Sequence, residues 1–174
     1  MSRIDVGRVR ERAAYVRAQI RVLRALAGRT DAEAFARDAL SAAAARYLLQ
    51  TSIEALIDLA YHLSAKLAQH APRDAHDAFD TMGQLGILDA AGMARRHEML
   101  RFRNRVVHRY LNIDDRRIHA MICGPDLEDL LEILGALERS ALGAAGERAS
   151  EAPDAAGEPP SGGCGRAEEE PSSP

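Results

Sequence analysis

The chain has 174 residues, of which 47% are hydrophobic, 4% aromatic and 28% charged, and its formal net charge is −3. A chain of this length forms one domain with a core large enough to fold alone. Its longest apolar runs have four residues, far fewer than the roughly 20 needed for a membrane-spanning helix. The composition therefore predicts no membrane span, and the charged first residues do not resemble a signal peptide, so we expect a cytoplasmic protein.

The cysteines give no framework for the fold. Cys123 and Cys164 lie 41 positions apart and supply neither a set of disulfides nor a four-cysteine metal cluster. The sequence therefore predicts no metal site built on cysteine.

The end of the chain differs in composition from the rest. Residues 147–174 carry a net charge of −5, contain five of the seven prolines and have no Leu, Ile, Val, Phe, Tyr or Met. Such a segment buries too little apolar surface to offset the entropy lost on ordering. We predict a helical domain over residues 1–142, followed by a disordered acidic tail rich in Pro, Gly and Ser over residues 143–174.

Positive charge is concentrated between Met93 and Arg117. This segment has eight arginines and three acidic residues, a net charge of +5, and such a patch attracts phosphates. The excess of arginine over lysine in the whole chain fits the codon usage of a GC-rich genome, but it does not explain the clustering. The segment is therefore a candidate phosphate-binding surface.

Apolar residues recur in steps of three and four, as on one face of a helix. They predict a first helix that ends at Gly28, and a capping box at Thr30-Asp31-Ala32-Glu33 starts a second helical stretch that runs to about Ala68. Further helices are predicted at 74–83, at 90–109 after an Asp89 cap, and from Pro125 onwards. No segment alternates with period two for long enough to form a sheet. We therefore predict an all-α fold, an antiparallel helical bundle.

Five polar residues recur every four positions within the second helical stretch. They form one slowly drifting stripe beside its apolar seam: Arg46, Gln50, Glu54, Asp58 and His62. One interpretation is a chain of i,i+4 pairs on a solvated or interfacial face. The other is a metal site at Asp58 and His62, but the paired Glu-x-x-His motifs of di-iron bundles are absent from the sequence.

The sharpest polar feature is the segment 101–110, Arg-Phe-Arg-Asn-Arg-Val-Val-His-Arg-Tyr. Arg103 and Asn104 interrupt helix seams that are otherwise apolar, which marks an interface or a site. Asn104 and His108 are four positions apart and within hydrogen-bonding reach, whereas His108 lies about 140° around the helix from Arg103 at ~100° per residue. A second copy of the helix, related by a two-fold axis, would bring Arg and His together in one cleft.

A cleft with arginine and histidine suits RNA cleavage. A histidine that titrates near neutrality takes a proton from a 2′-hydroxyl or gives one to a leaving oxygen. Arginine stabilises the charge on a phosphorane. Two symmetry-related histidines would act as base and acid and leave a 2′,3′-cyclic phosphate without a metal. From the pattern alone, an Arg/His pair on a helix is more often structural than catalytic.

The spacing of Arg103, His108 and Tyr110 resembles the Arg-x4-6-His-x-Tyr motif of the HEPN superfamily. The chain over about residues 5 to 140 resembles, more narrowly, the HepT-like toxins of HepT/MntA toxin–antitoxin systems. The likeness extends to the helix of the polar stripe and to short segments on either side of the motif: Asp77-Ala-Phe79, Leu85-Gly-Ile-Leu88 and Asn112-Ile-Asp114.

The resemblance implies a HEPN-type helical bundle that acts as an endoribonuclease. It implies that Arg103 and His108 are the catalytic pair, that Asn104 supports them, and that the site lies at a homodimer interface. It implies no cofactor or metal for catalysis. Tyr110 would be modified with AMP, drawn from ATP, by a nucleotidyltransferase antitoxin of the MNT type, and the added charge and bulk would block RNA. The RNA substrate, tRNA or mRNA, would be held by its phosphates on three further arginines: Arg101, Arg105 and Arg109.

Other functions are compatible with the same residues. A non-catalytic HEPN module would present a nucleotide or substrate to a nucleotidyltransferase, with Arg103 holding a phosphate and His108 orienting it. A plain helical interaction protein would bind neither ligand. A structural interpretation of Arg103 pairs it with Glu54 or Asp58 in the core. The alternative to RNA as ligand of the arginine-rich segment is the acidic antitoxin. Three further histidines are interpreted as structural: His62, His97 and His119.

Overall fold

The computed structural model of the protein describes residues 4–108 and 113–150, with side chains described over 4–106 and 113–146. Within these ranges the backbone forms seven α-helices and no strand. The helices are α1 (Val6–Ala27), α2 (Ala32–Arg37), α3 (Ala39–Leu63), α4 (Ala75–Gln84), α5 (Ala90–His108), α6 (Asp115–Cys123) and α7 (Asp126–Ser150), and a π-helical turn (Ser64–Ala68) extends α3. The predicted all-α class is confirmed. None of these helices is both long and apolar enough to cross a membrane.

Helix α3 is the centre of the bundle. Twelve of its 25 residues are buried, and α1, α4, α5, α6 and α7 all pack against it. The spacing of apolar residues predicts a seam on α1 that ends at Ala27, which is partly buried. The other five members lie in the core and confirm the seam: Val9, Ala13, Val16, Ile20 and Leu23. Burial on more than one side is what a central helix requires, and it leaves only a narrow part of α3 for polar groups.

The second helical stretch is two helices, so its prediction as one was wrong. The carboxylate of Asp38 accepts hydrogen bonds from the backbone of Leu40 and Ser41 and from the Ser41 hydroxyl, and it starts α3 anew. An aspartate that satisfies the first free N–H groups of a helix stabilises a helix start. The N-cap of α2 is Asp31, whose carboxylate accepts from the backbone of Ala34 at 2.8 Å. The predicted capping box would place the N-cap at Thr30, so it is not the cap that forms.

Helix α6 was not predicted from the sequence. Its cap, Asp114, accepts from the backbone of Arg116, and its buried face is short. His119 supplies part of that face: its Nε2 lies 2.9 Å from the carbonyl of Thr30 and its ring lies against Phe35. Ile118 and Ile122 of α6 are four positions apart, but a helix of nine residues is too short to repeat this spacing over several turns.

Helix α7 runs antiparallel to α1 along their shared face. Arg24 near the end of α1 pairs with Glu128 near the start of α7. Arg17, earlier in α1, pairs at 2.5 Å with Glu138, later in α7, as expected for two antiparallel helices. The α7 backbone continues to Ser150, beyond the start of the predicted tail at residue 143. Alanine, glutamate and arginine in this stretch all favour helix. Residues 151–174, and the disorder predicted there, lie outside the described residues.

Candidate active site

Arg103 lies on the stripe of α5 that faces the core. Its neighbours on that stripe, Arg96, Met99 and Val106, are all buried. These positions follow one another at steps of three and four, so they share one side of the helix. The polar residue that interrupts the seam therefore faces α3 rather than open solvent, as the sequence pattern indicated.

The guanidinium of Arg103 is anchored by Glu54 of α3. Nε of Arg103 donates to Oε1 of Glu54 at 2.6 Å, and the two side chains are 31% and 37% exposed. One terminal nitrogen donates to Oδ1 of Asn104 at 3.3 Å, and the other has no hydrogen-bond partner among the described residues. The alternative that Arg103 pairs with Glu54 is thus confirmed. Because Glu54 takes Nε and Asn104 takes one terminal nitrogen, the second terminal nitrogen is left for an anion.

The polar stripe of α3 attaches other helices to it. The expected i,i+4 pairs along α3 do not form, because the members reach across to other elements. The contacts are Arg46 Nε to Asp115 of α6 at 3.4 Å, Glu54 to Arg103 of α5, Asp58 to Arg12 of α1 at 3.3 Å, and His62 Nε2 to the Asp5 amide at 3.2 Å. The interfacial interpretation is correct. In the part of the chain that the structure describes, no three His, Cys, Asp or Glu side chains are placed to hold a metal ion.

Most of the arginines between residues 93 and 117 have acidic partners. The positive charge of the segment is therefore largely neutralised within the fold. The pairs are Arg95 with Asp129 and Glu132, Arg96 with Asp80, Arg101 with Glu98, Arg103 with Glu54, and Arg116 with Glu33 and Asp114. Among the described arginines of the segment, Arg105 and Arg117 are left without an ion pair.

Arg96 was not singled out from the sequence, although it is the most buried of these arginines. Its side chain is 5% exposed, and it donates to Oδ1 of Asp80 at 2.7 Å and to the carbonyl of His76 at 3.0 Å. Both acceptors belong to α4, so Arg96 joins α4 to α5. This role is structural, and the sequence carries no signal that separates it from the exposed arginines nearby.

The remaining motif residues are placed only in part. Helix α5 is continuous through positions 103 to 108, so position 108 lies about 140° from position 103 at ~100° per residue. Arg109 and Tyr110 lie outside the described residues, as does the side chain of His108. Asn104 is exposed and accepts from Arg103, which is compatible with the supporting role predicted for it.

The three histidines interpreted as structural occupy different places in the fold. His62 is buried, and its burial, together with Arg8 and Lys66, holds its pKa below the ordinary value. His119 fills the contact between α2 and α6. His97 is exposed, with Nε2 3.3 Å from Arg96.

A sequence model of one protein family matches this chain. The family is described as ribonuclease HepT-like, and the match covers residues 16–137, which include α3, the whole of α5 and the motif. The chain belongs to the HepT-like ribonuclease family. The resemblance inferred from the motif is therefore confirmed, and ribonuclease activity is the activity for which the family is described.

Solved structures share the fold of this HepT-like chain. A tri-AMPylated HEPN toxin of Shewanella oneidensis, in complex with an MNT antitoxin, is 20% identical with a TM-score of 0.68, and the match covers 80% of this chain and 99% of that one. A toxin–antitoxin with AMP-PNP is 20% identical with a TM-score of 0.67, covering 79% and 99%. Comparison with curated proteins gives no match.

Proposed function

We propose that this HepT-like protein is the toxin of a toxin–antitoxin system and cleaves RNA without a metal. The observation that carries the proposal is the anchored guanidinium of Arg103, held at Nε by Glu54 and at one terminal nitrogen by Asn104, within the Arg-x4-His-x-Tyr motif of a ribonuclease family. An arginine fork held in one plane suits the charge that develops on a phosphorane. The similar solved structures, which contain toxins bound to antitoxins, support the biological role.

The proposed reaction is an internal transfer within the RNA chain. His108 takes the proton of a 2′-hydroxyl, and the 2′-oxygen forms a bond to the adjacent phosphorus. The bond from phosphorus to the 5′-oxygen breaks, and a second histidine donates a proton to that leaving oxygen. The products are a 2′,3′-cyclic phosphate and a free 5′-hydroxyl. Arg103 stabilises the phosphorane between these steps, and Asn104 supports the arginine.

Two copies of the chain are required for this chemistry. Positions 103 and 108 lie on different sides of α5, about 140° apart, so one straight helix does not direct both side chains at the same phosphate. A homodimer with a two-fold axis beside α5 supplies Arg103 from one copy and His108 from the other. It also supplies the second histidine that the leaving oxygen needs.

The antitoxin silences the enzyme at Tyr110. The tyrosyl oxygen attacks the α-phosphorus of ATP in the active site of an MNT-type nucleotidyltransferase, and pyrophosphate leaves. The AMP group adds negative charge and bulk two positions after His108, where an RNA phosphate must enter, so both electrostatic and steric repulsion oppose binding. A solved AMPylated relative supports this mode of control.

Cleavage assays in EDTA test the proposal. Purified protein, with its intact mass recorded, is incubated with total tRNA and with a model mRNA, beside His108→Ala. We expect wild-type cleavage that His108→Ala abolishes, with 2′,3′-cyclic phosphate ends. No cleavage by protein of unmodified mass, together with measurable nucleotide binding, would overturn the proposal in favour of a non-catalytic nucleotide-binding module.

A further inference from the structure

A pocket with a volume of about 250 Å³ lies between the last turns of α5 and the start of α6. Its inner surface is apolar and formed by Phe102, Val106, Ile113 and Ile118. Three of these side chains are at most 8% exposed, so the floor is continuous with the core. A volume somewhat below the roughly 300 Å³ of small drug-sized sites suits one compact ligand unit.

The rim of this pocket carries Arg105 and Arg117. These are the two described arginines of the basic segment that lack an ion pair, and they line the same pocket from two different helices. The other described arginines of the segment pair with carboxylates, Arg101 with one of its own helix and the rest with acids of other helices. An excess of positive charge around one cavity favours an anionic ligand.

The pocket also offers one acceptor, the carboxylate of Asp114. This group caps α6 through the backbone of Arg116 at 3.0 Å and lies 4.0 Å from the Arg116 guanidinium. The pocket lining therefore holds two arginines and one carboxylate, a net charge of +1. A carboxylate at the edge of an apolar pocket can accept a hydrogen bond from a ribose hydroxyl or a base amino group.

We propose that this pocket binds one nucleotide unit, with its phosphate on Arg105 and Arg117 and its base on the apolar floor. Arginine forks match phosphate oxygens, and bases are held largely by their apolar faces. Position 108 lies only about 60° around α5 from position 105, at ~100° per residue. The inference deepens and rests on the proposed function, because it places the bound unit beside the scissile phosphate of the RNA.

The test compares two adjacent arginines of α6. Arg117→Gln removes a rim charge, whereas Arg116→Gln removes an equal charge from a side chain that pairs with Glu33 outside the pocket. Binding of a labelled RNA oligonucleotide and of AMP is measured directly on protein that also carries His108→Ala, so that no cleavage intervenes. We expect Arg117→Gln and Arg105→Gln to weaken binding about tenfold, and Arg116→Gln to change it less than twofold.

The outcomes distinguish a free nucleotide from a unit of the RNA chain as the ligand. They also distinguish a failure of the pocket proposal from a failure of the ribonuclease proposal. Binding of AMP that depends on Arg117 identifies a free nucleotide as ligand, whereas Arg117-dependent binding of the oligonucleotide alone identifies a unit of the RNA chain. Equal weakening by Arg116→Gln and Arg117→Gln, or no weakening by either, overturns the pocket. Wild-type cleavage with an unchanged KM in Arg117→Gln would leave the ribonuclease standing without the pocket. Arg117-dependent AMP binding by a protein that does not cleave RNA would leave the pocket without the ribonuclease.

Discussion

Nε of Arg103 donates to Oε1 of Glu54 across 2.6 Å and joins α5 to α3 at the centre of the candidate site. Both side chains are about one-third exposed, so we expect a contribution to stability of about 1 kcal/mol or less. The main consequence of the contact is orientation. A guanidinium held at one edge keeps its plane and presents its outer nitrogens in a constant direction.

Replacing Glu54 by glutamine tests this positioning role. Glu54→Gln removes the charge that holds Nε, so we expect kcat for RNA cleavage to fall about tenfold with little change in KM, because misplacement of a charged group lowers transition-state stabilisation most. The control is Glu98→Gln, which removes the partner of the exposed Arg101 on the same helix. An equal fall of kcat in Glu54→Gln and Glu98→Gln would show that the change in net charge, and not the position of Arg103, causes the effect.

Truncation of Arg96 should destabilise the fold. Arg96→Ala loses the bonds to Asp80 and to the His76 carbonyl, and it leaves a space between α4 and α5. We expect the free energy of unfolding to fall by about 2 kcal/mol, measured by urea denaturation. Arg101→Ala, on the exposed side of α5, should change it by less than about 0.5 kcal/mol. A similar small change in Arg96→Ala would rule out its role as a link between helices.

The stability of the protein should depend on pH through His62. Burial and the nearby Arg8 and Lys66 lower the pKa of His62 in the folded chain, and Nε2 accepts from the Asp5 amide only when it carries no proton. As the pH falls below about 6.5, the unfolded chain binds a proton that the folded chain does not, so the free energy of unfolding decreases. Urea denaturation between pH 7.5 and 5.5 should show this decrease, and His62→Gln should flatten it. An equal slope in the variant would assign the dependence to other groups.

Modification by the antitoxin should require Tyr110. Co-incubation with the MNT partner and ATP should add AMP mass to the wild type and not to Tyr110→Phe, which should remain active on RNA. Tyr47 provides the control, because its side chain is exposed on α3. Tyr47→Phe should be modified like the wild type. AMP mass on Tyr110→Phe would contradict the assignment.

The sequence predicted the features of the helices that depend on residues close together in the chain. The α1 seam from Val9 to Leu23 and the cap of α5 at Asp89, which accepts from the backbone of Gly92, depend on neighbours within one or two turns, and both were confirmed. The break at Asp38 was missed because alanine-rich flanks favour helix on both sides. Only the hydrogen bonds of the Asp38 carboxylate to Ser41 show where the new helix begins.

The candidate site was predictable as a set of positions and less so as a set of contacts. The motif spacing singled out Arg103, whose catalytic role stays a prediction, and the family match covers the segment that contains it. Glu54 was one of two possible partners, because a separation of 49 positions specifies no contact until the helices pack. The pairing of Arg95, Arg96 and Arg116 with acids on α7, α4 and α2 was likewise invisible, since net charge along a sequence does not reveal long-range pairs.

The composite site is tested most directly by removing one of its two histidines. Wild-type chain and His108→Ala chain are co-expressed with different tags, so that the heterodimer is isolated, and it is assayed on RNA in EDTA beside both homodimers. In the proposed reaction the two histidines of one dimer act on the same phosphate, one as base and one as acid. We predict that the heterodimer, like the His108→Ala homodimer, has less than about a tenth of the wild-type rate. A heterodimer with half of the wild-type rate would contradict a site shared between two copies, because each copy would then cleave RNA on its own.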